Sequence, residues 1–262
     1  MRSLMYIPAK EKMLAKIEGL KADAYIIDLE DSILPEKKKE ALQLTYDFLK
    51  DYSFNRPTFV RINEKTYKEE IALLSAFEKL GFMLVKFDFS DKYIDVYKIL
   101  ECRKTIGLIE TPLGLVNIGR MKEHTCIDYY AFGAEDFTAK MNMENTADNL
   151  MFAKSLLLTY CRVYDKQVFD TPSFQIQDME RFEKEVLSAV EMGFDGKQLI
   201  HPRHIDFINK SFNRYNFDEM IAIVKEYESK QEAVCVINGK VYEKMHINRY
   251  KRILKECGGI EV

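Results

Sequence analysis

The sequence has no long hydrophobic run and no strong excess of either charge. No apolar stretch approaches the roughly 18 to 20 residues that a membrane-spanning helix needs. The net charge is −3, from 39 basic and 42 acidic residues. This balance gives no electrostatic reason to expect binding to nucleic acid or to an anionic membrane. We therefore expect a protein that associates with neither.

Cysteines are few and dispersed. The five cysteines stand at positions 102, 126, 161, 235 and 257, and none belongs to a CxxC pair. An odd, scattered set favours reduced thiols over a disulfide framework or a zinc site. The N-terminal run MRSLMYIPAK is too short for the apolar core of a secretory signal and is more typical of a first strand. These features together predict a cytoplasmic protein.

The sequence does contain an alternation of strand-like and helix-like segments, repeated eight times. The strand-like runs are SLMYIP (3–8), AYIIDLE (24–30), TFVRIN (58–63), FMLVKFD (82–88), TIGLIET (105–111), IDYYAFGAE (127–135), QVFDTPS (167–173) and KQLIHP (197–202). Amphipathic stretches separate them. No GxGxxG or GxxxxGK(S/T) motif follows a strand, which removes the main marker of nucleotide-binding open sheets. Eight repeats in 262 residues predict an α/β fold, a TIM-like (β/α)₈ barrel.

The pattern changes after about residue 212. A helix-like run, FDEMIAIVKEYESKQ, precedes AVCVINGKVYEK, which predicts two short strands joined by Asn238-Gly239. Asn-Gly favours a type I′ hairpin turn. A last helix-like run, HINRYKRILKECGG, ends in glycine. A hairpin plus helix buries little surface alone. We therefore predict a barrel with the active site over residues 1–215 and a C-terminal lid or oligomerisation segment over 216–262.

Almost every predicted strand ends in a polar or ionisable residue. These residues are Glu30, Asp31, Arg61, Asn63, Lys86, Asp88, Glu110, Glu135, Asp136, Asp170 and His201. In (β/α)₈ enzymes the active site lies at the C-terminal ends of the strands. A charged residue at a single strand end is usually there only because the end is exposed to solvent. Eight such strand ends together predict a site for a metal and a carboxylate-bearing substrate. No Ser–His–Asp or Cys–His arrangement can be assembled from them.

Glu110 and Asp136 are the candidate metal ligands. Each follows an apolar run that is typical of a strand buried on both faces. Neighbouring strands lie about 4.8 Å apart, so two carboxylates at their ends repel each other unless they share a proton or bind a cation. Mg²⁺ takes oxygen ligands and keeps coordination positions open for substrate. We therefore expect this pair to bind a divalent cation.

Arg61 is the only arginine at a predicted strand end. Its planar guanidinium can hold a carboxylate through two hydrogen bonds. An ion pair with Glu30 or Asp31 explains it equally well, and both interpretations can hold together. Glu30 and Asp31 are candidates to orient metal-bound water, or to form structural pairs. His201 is expected either to contact a ligand or to be structural, and the other histidines, at 124, 204 and 246, are expected at the surface.

Six ordered motifs run through most of the chain: RSLMYIPA (2–9), DLEDSILPEKKKEA (28–41), VRIN (60–63), GLIETPLGLVNI (107–118), FGAEDF (132–137) and GFDGKQLIHPRHIDFIN (193–209). Together they resemble the HpcH/HpaI aldolase and citrate lyase beta-subunit family, specifically its CoA-thioester lyase branch. The resemblance implies a TIM-like barrel, usually trimeric or hexameric, in which Glu110 and Asp136 bind Mg²⁺ and Arg61 binds a keto-acid carboxylate. It also implies that Lys12 and Lys16, on the first helix, contact CoA phosphates. A solvated helix face accounts for these lysines equally well.

The family's reaction is reversible cleavage of a 3-hydroxyacyl thioester into an acyl-CoA and a 2-oxo acid. In its malyl- and citramalyl-CoA lyases the acid/base is an aspartate of a C-terminal lid that closes over the adjoining subunit's site. The motif GKVYEK resembles that lid and places Glu243 at the aspartate position. Glutamate is longer than aspartate by one methylene, and a displacement of roughly 1 Å can cost about a hundredfold in rate. The family motif therefore does not predict which substrate this protein uses.

Three functions are therefore under consideration. The leading one is a Mg²⁺-dependent carbon–carbon lyase acting on a CoA thioester of citramalyl, malyl or citryl type. The second is a CoA-independent metal aldolase that cleaves a 4-hydroxy-2-oxo acid. The third is a non-catalytic paralogue that binds a 2-oxo acid.

Overall fold

The computed structural model describes residues 1–213, 217–230, 232–258 and 260–261. The chain divides into two compact units, residues 1–212 and residues 213–262. The boundary expected between residues 215 and 216 lies outside the described residues. The two units are described separately below.

Eight parallel strands close into a barrel in the first unit. They are β1 (Ser3–Pro8), β2 (Ala24–Asp28), β3 (Thr58–Arg61), β4 (Leu80–Leu84), β5 (Thr105–Ile109), β6 (Tyr129–Phe132), β7 (Gln167–Asp170) and β8 (Gly196–Leu199). Each strand pairs with the next in chain order, and β8 returns to β1, with Leu4 opposite Gln198. The predicted TIM-like (β/α)₈ architecture is confirmed.

Helices follow the strands and form the outer layer. In the described part of the first unit they are α1 (Glu11–Leu14), α2 (Lys38–Asp51), α3 (Tyr67–Leu74), α4 (Tyr97–Leu100), α5 (Pro112–Val116), α6 (Ala134–Met141), α7 (Ala147–Val163), α8 (Met179–Met192) and α9 (Ile205–Ser211). Short 3₁₀ turns cover Ile17–Gly19, Pro35–Lys37, Asp91–Val96, Asn117–Glu123 and Pro202–His204.

Both faces of the barrel strands are buried, which explains their continuous apolar sequence. In β1, Leu4 and Tyr6 pack in the barrel interior, whereas Met5 and Ile7 pack in the layer between strands and helices. Successive side chains of a strand point to opposite faces, so neither face can be polar here.

The strands end earlier than predicted. β6 stops at Phe132 instead of residue 135, β8 at Leu199 instead of 202, and β4 at Leu84 instead of 88. The loops that follow remain apolar because they are buried at the mouth of the barrel; Leu29, for example, is fully inaccessible. As a result, several candidate residues lie in loops or helix starts rather than at strand ends.

The second unit contains a hairpin between two helices. Its elements are α10 (Phe217–Lys230), β9 (Val234–Ile237), β10 (Lys240–Glu243) and α11 (Lys244–Gly258). The predicted antiparallel hairpin is confirmed, with Asn238 at φ 49° and Gly239 at φ 76°, as a type I′ turn requires. The last helix was predicted to end at the two glycines of HINRYKRILKECGG, and the second of them, residue 259, lies outside the described residues. Within the described ranges, every helix is too short or too polar to reach across a membrane.

Candidate active site

A cavity of about 360 Å³ opens at the C-terminal ends of the barrel strands. Its polar and ionisable lining residues are Tyr6, Asp28, Asp31, Ser32, Arg61, Glu110, Glu135, Asp136, Thr171 and Gln198. Another cavity, of about 500 Å³, lies at the opposite end, around the starts of β3 and β4. In this fold that end serves stability rather than chemistry. We therefore take the first cavity, called the reaction cavity below, as the candidate active site.

Arg61, the last residue of β3, is held by three carboxylates. Its Nε and Nη2 each donate to one oxygen of Asp28 at 2.8 Å, and its Nη1 donates to Asp31 at 2.9 Å. Glu30 lies 3.3 Å from Nη1. The ion-pair interpretation of Arg61 is therefore correct. A substrate carboxylate would have to replace Asp31 as the hydrogen-bond acceptor of Nη1, and the Asp31 side chain is 71% exposed.

Asp28 is the residue of this group that the sequence interpretation missed. It ends β2, is buried, and accepts the backbone N–H groups of Glu30 at 2.8 Å and Ser32 at 3.1 Å. Burial by itself would raise the pKa of Asp28, but the charge of Arg61 and the hydrogen bonds outweigh it, so this pKa lies below its ordinary value. The motif DLED held the signal, because its first acid is Asp28.

Glu110 follows β5 and is almost fully buried. Its Oε1 accepts the backbone N–H of Lys86 at 2.7 Å. Burial is the main cause that raises the pKa of Glu110 to about 8; the charges of Glu30 and Asp136 add to the rise, and the Lys86 N–H opposes it. A carboxyl group with this pKa at a barrel mouth is prepared to bind a proton or a cation.

Asp136 lies in the first turn of α6, not at the end of a strand as predicted. It lines the reaction cavity together with Glu110, so the structure brings the two predicted metal ligands to one place. Gly133 permits this approach, because a Cβ there would lie 2.6 Å from the Glu110 Cβ and 2.9 Å from its Oε2. The neighbouring Glu135 is exposed and accepts a hydrogen bond from Asn145 at 2.6 Å.

The donor set of Glu110 and Asp136 suits Mg²⁺. This ion is usually bound by one or two carboxylates and keeps several waters. Among the described residues, no group of three or more histidine, cysteine, aspartate and glutamate side chains could hold a metal. The site therefore offers no closed protein cage of the structural-zinc type. The negative charge crowded around Glu110 is what a partly hydrated Mg²⁺ would neutralise.

Glu30 pairs with Arg61 but is not among the residues that line the reaction cavity. Its Oε1 is 3.9 Å from the Lys86 Nζ. Burial is the main cause that raises the pKa of Glu30 to about 7, with the charge of Arg61 opposing it and that of Asp31 adding to it. Glu30 can therefore exchange a proton near neutral pH. Its orientation of metal-bound water stays a prediction, as does that of Asp31.

Tyr6 and Gln198 form a polar floor that the sequence interpretation also missed. The Tyr6 hydroxyl donates to Gln198 Oε1 at 2.7 Å, and Gln198 Nε2 donates to the carbonyl oxygens of Phe132 and Asp170. The Tyr6 ring lies under Arg61, 5.0 Å from the guanidinium carbon. For Tyr6, the available signal was a polar residue at an inward position of the mostly apolar strand β1; β8, with the sequence GKQL, gave no such contrast for Gln198.

Lys12 and Lys16 are exposed and lie outside the reaction cavity. Helix α1 ends at Leu14, so the expectation that Lys16 lies on the first helix is wrong. Two other lysines, Lys10 and Lys37, line a neighbouring cavity of about 630 Å³, called the Lys10–Lys37 cavity below.

His201 lies beyond β8 and begins a 3₁₀ turn. Its Nδ1 accepts the backbone N–H of Arg203 at 3.3 Å, which favours the structural alternative. Glu243, the last residue of β10, is exposed, and its backbone N–H donates to His246 Nδ1 at 3.1 Å. Its catalytic role stays a prediction.

The remaining strand-end candidates have structural partners. Asn63 donates to Glu70 at 2.6 Å, and Asp88 accepts from the Ser90 hydroxyl at 2.5 Å. Asp170 forms ion pairs with two lysines outside the reaction cavity. These positions therefore support the barrel mouth rather than face the candidate substrate.

Two histidines expected at the surface are buried. His124 Nε2 lies 3.0 Å from the Phe89 carbonyl oxygen, and the His204 ring stacks on Phe182 with centroids 3.9 Å apart. Burial is the main cause that lowers the pKa of each below its ordinary value. Their polar sequence surroundings gave no sign of this packing.

The closed barrel, with carboxylates and an arginine at its C-terminal mouth, places this chain among (β/α)₈ enzymes. The chain belongs to the HpcH/HpaI aldolase/citrate lyase family, whose profile matches residues 2–202. The predicted family is thereby confirmed, and with it an enzyme of the carbon–carbon lyase class.

Curated relatives align along nearly the whole chain. A (3S)-malyl-CoA thioesterase of Cereibacter sphaeroides is 28% identical and covers 99% of this chain and 95% of its own. The citrate lyase subunit beta of Leuconostoc mesenteroides is 27% identical, covering 97% and 92%. The mitochondrial citramalyl-CoA lyase of Mus musculus is 26% identical, covering 92% and 81%.

Solved structures share the fold. Mycobacterium tuberculosis CitE, in complex with magnesium, acetoacetate and coenzyme A, has a TM-score of 0.77 at 22% identity and covers 98% of both chains. RipC of Yersinia pestis has a TM-score of 0.71 at 26% identity, covering 84% of this chain and 98% of its own.

Proposed function

We propose that this protein is a Mg²⁺-dependent lyase that cleaves a 3-hydroxyacyl-CoA into an acyl-CoA and a 2-oxo acid, or forms it in reverse. The observation that carries the proposal is the convergence of Glu110, Asp136 and Arg61 on one cavity in a member of this family. Relatives named as lyases or thioesterases of CoA compounds support the substrate class.

The roles of the side chains follow from their positions. Mg²⁺ held by Glu110 and Asp136 would supply Lewis-acid polarisation of the 2-oxo carbonyl. Arg61 binds the carboxylate of the 2-oxo acid through Nη1, while Asp28 fixes the guanidinium from behind. The Lys86 backbone N–H holds Glu110 in one orientation. Arg61 and Glu110 are thus oriented before substrate arrives, as electrostatic catalysis requires.

The CoA portion is assigned to the Lys10–Lys37 cavity. This cavity shares Ser32 with the reaction cavity, so a thioester can extend from one into the other. Its two lysines are suited to the phosphates of CoA as mobile point charges. Lys12 and Lys16, the candidates from the sequence, do not line this cavity and serve as the control.

Glu243 is assigned as the acid that protonates the acyl fragment released by cleavage. An exposed carboxylate on a hairpin strand suits a group that must serve a site outside its own hairpin. We further propose, on the resemblance to family members with a lid, that the protein acts as a homotrimer or hexamer and, on its odd and scattered set of cysteines, that it is cytoplasmic.

The test is an assay of purified full-length protein with citramalyl-CoA, malyl-CoA and citryl-CoA, with Mg²⁺ and with EDTA. We expect turnover of at least one thioester that EDTA abolishes. Metal-independent turnover, or full activity in Glu110→Ala, would contradict the proposal. Binding of pyruvate, oxaloacetate or glyoxylate in calorimetry without any turnover would favour the non-catalytic paralogue instead.

Use of CoA is tested by two double variants. Lys10→Gln with Lys37→Gln is expected to raise KM for the thioester by about tenfold, because two phosphate contacts are lost. Lys12→Gln with Lys16→Gln is expected to change it by no more than about twofold, because neither lysine lines the Lys10–Lys37 cavity. An unaltered KM in the first variant would show that the CoA phosphates bind elsewhere, whereas turnover of a 4-hydroxy-2-oxo acid with no turnover of any thioester would favour the CoA-independent aldolase.

A further inference from the structure

A separate cavity of about 540 Å³ lies among α7, α8, the end of β7 and the start of β8. Because Lys154 lines it, we call it the Lys154 cavity. Its ionisable lining residues are Glu135, Lys154, Asp170, Arg181, Lys184, Glu185 and Lys197. Four basic side chains therefore face three acidic ones. The proposed lyase reaction uses none of the basic side chains.

At the inner end of this cavity, one carboxylate faces two ammonium groups. Lys197 Nζ lies 2.5 Å from Asp170 Oδ2, and Lys154 Nζ lies 2.8 Å from Asp170 Oδ1. The side chains of Asp170 and Lys197 are 1% and 2% exposed. A buried carboxylate requires one compensating cation. The cluster therefore has one cation more than the carboxylate needs.

Lys154 is that additional cation. Lys197 already pairs with Asp170; burial lowers the pKa of Lys197, and the charge of Asp170 opposes this. Lys154 is the most exposed member of the cluster, at 13%, and its Nζ also lies 5.9 Å from the centroid of the Phe194 ring. A lysine held by a carboxylate and an aromatic face has a fixed ammonium group at the cavity wall.

The other basic groups at the cavity are already paired. Arg181 lies 3.5 Å from Glu185, and Lys184 lies 2.7 Å from Glu180, with all four residues on α8. These exposed pairs contribute little to the field inside the cavity because solvent screens them. Lys154 therefore remains as the cation that shares its carboxylate with a second lysine; the one other acid of the lining, Glu135, is exposed and accepts a hydrogen bond from Asn145.

We propose that the Lys154 cavity binds a small oxyanion, one acid group of which pairs with Lys154 Nζ. The neutral polar lining residues that can hydrogen-bond the rest of the molecule are Asn145, Thr146, Thr171, Gln175 and Ser188. The volume lies within the range of small-molecule sites. Carboxylate and phosphate share the required chemistry, since each presents acceptor oxygens with negative charge to an ammonium group.

The site is distinct from the reaction cavity but adjoins it. The two cavities share Glu135, Thr171, Pro172 and Phe174, whereas Arg61 and Glu110 line only the first and Lys154 and Lys197 only the second. An anion bound at Lys154 would therefore touch the wall of the reaction cavity without occupying the position of the substrate carboxylate.

The experiment titrates inorganic phosphate and succinate separately into the full-length protein with EDTA at pH 7, followed by calorimetry. We expect saturable binding of at least one probe. Binding of phosphate alone points to a phosphorylated ligand, of succinate alone to a carboxylic acid, and of both to oxyanions in general. Absence of binding of both probes up to about 10 mM would overturn the proposal, since this concentration detects even millimolar affinity.

Matched variants locate the site. Lys154→Gln is expected to weaken binding by about tenfold or more, because a charge-assisted bond is lost while the Asp170–Lys197 pair stays intact. Lys154→Arg, which keeps the charge, and Lys184→Gln, which alters an exposed pair, are expected to retain affinity within about threefold. Arg61→Gln is expected to bind phosphate or succinate with the same affinity as the unmodified protein. Equal affinity in Lys154→Gln, or loss in Arg61→Gln, would show that the anion binds elsewhere.

Discussion

Arg61 and Asp28 form a buried ion pair with two hydrogen bonds, in which Nε and Nη2 each lie 2.8 Å from a carboxylate oxygen. This geometry leaves Nη1 as the donor that an incoming carboxylate can use, and Asp31 occupies it at 2.9 Å. Two acids of one short motif therefore have opposite relations to the arginine. Asp28 fixes it, and Asp31 competes for it.

We predict opposite effects of Asp28→Asn and Asp31→Asn on binding of a 2-oxo acid. Asp28→Asn should weaken binding by about tenfold or more, because a buried guanidinium loses its charge partner. Asp31→Asn should leave binding unchanged or tighten it by up to about fivefold, the range of an exposed ion pair. Calorimetry with pyruvate and Mg²⁺ measures both. Equal weakening in the two variants would contradict the competitor role of Asp31.

Glu110→Gln should abolish lyase activity and yet stabilise the metal-free protein. Burial raises the pKa of Glu110 to about 8, so the ionised carboxylate is unfavourable in the folded state at neutral pH, and glutamine resembles the protonated form. We expect the free energy of unfolding of the variant, in EDTA at pH 7, to exceed that of the unmodified protein by about 1 kcal/mol or more. Thermal unfolding with EDTA and with Mg²⁺ measures this. A less stable variant in EDTA, or one with full activity, would count against the assignment.

Gly133→Ala should impair metal binding. A Cβ at this position would lie 2.6 Å from the Glu110 Cβ, so Glu110 or the start of α6 must move. We expect Mg²⁺ affinity to fall by about tenfold or more, since a displacement of roughly 1 Å misplaces a ligand. Gly119→Ala is the control, because its Cβ would meet only ordinary contacts with Tyr160 at 3.6 Å and beyond. Similar Mg²⁺ affinity in the two variants would refute this reasoning.

Glu243→Gln should lower kcat by about a hundredfold with little change in KM, as expected when a general acid is removed. Glu243→Asp should keep at least part of the activity, because it retains the carboxyl group. Steady-state kinetics with the preferred thioester measures both. Unchanged kcat in Glu243→Gln would assign the proton transfer to another residue.

His204 should cause a decline in stability as the pH falls below about 6.5, against an opposite contribution from Glu110 and Glu30, whose pKa values are raised by burial. Burial lowers the pKa of His204 below its ordinary value of 6.5. The unfolded chain therefore takes up its proton first on acidification, and the free energy of unfolding decreases. His204→Phe, which can keep the stack on Phe182, should flatten this decline; His124 retains a contribution of the same sign. Urea unfolding at pH 7.5, 6.5 and 5.5 measures how the free energy of unfolding depends on pH in the variant and in the unmodified protein. The same dependence in both would exclude a contribution from His204.

The strand ends were the weakest part of the sequence interpretation, for a physical reason. Leu29, Ile62 and Phe87 are fully buried although each lies beyond its strand. A loop buried at the barrel mouth is as apolar as the strand before it, so hydrophobicity does not mark the boundary. Asp136 lines the reaction cavity but lies on a different element from the one predicted, since FGAEDF continues from strand into helix without a polar break.

The sequence by itself determined the eightfold alternation, the parallel barrel, the Asn-Gly hairpin and the set of acids from which the site is built, because hydrophobic periodicity and turn chemistry are local properties of the chain. Only the tertiary structure decided which of these acids meet. The burial of Asp28, the inward side chains of Tyr6 and Gln198, and the pairing of Lys154 with Asp170 depend on contacts between residues distant in the chain, and no local pattern encodes those distances.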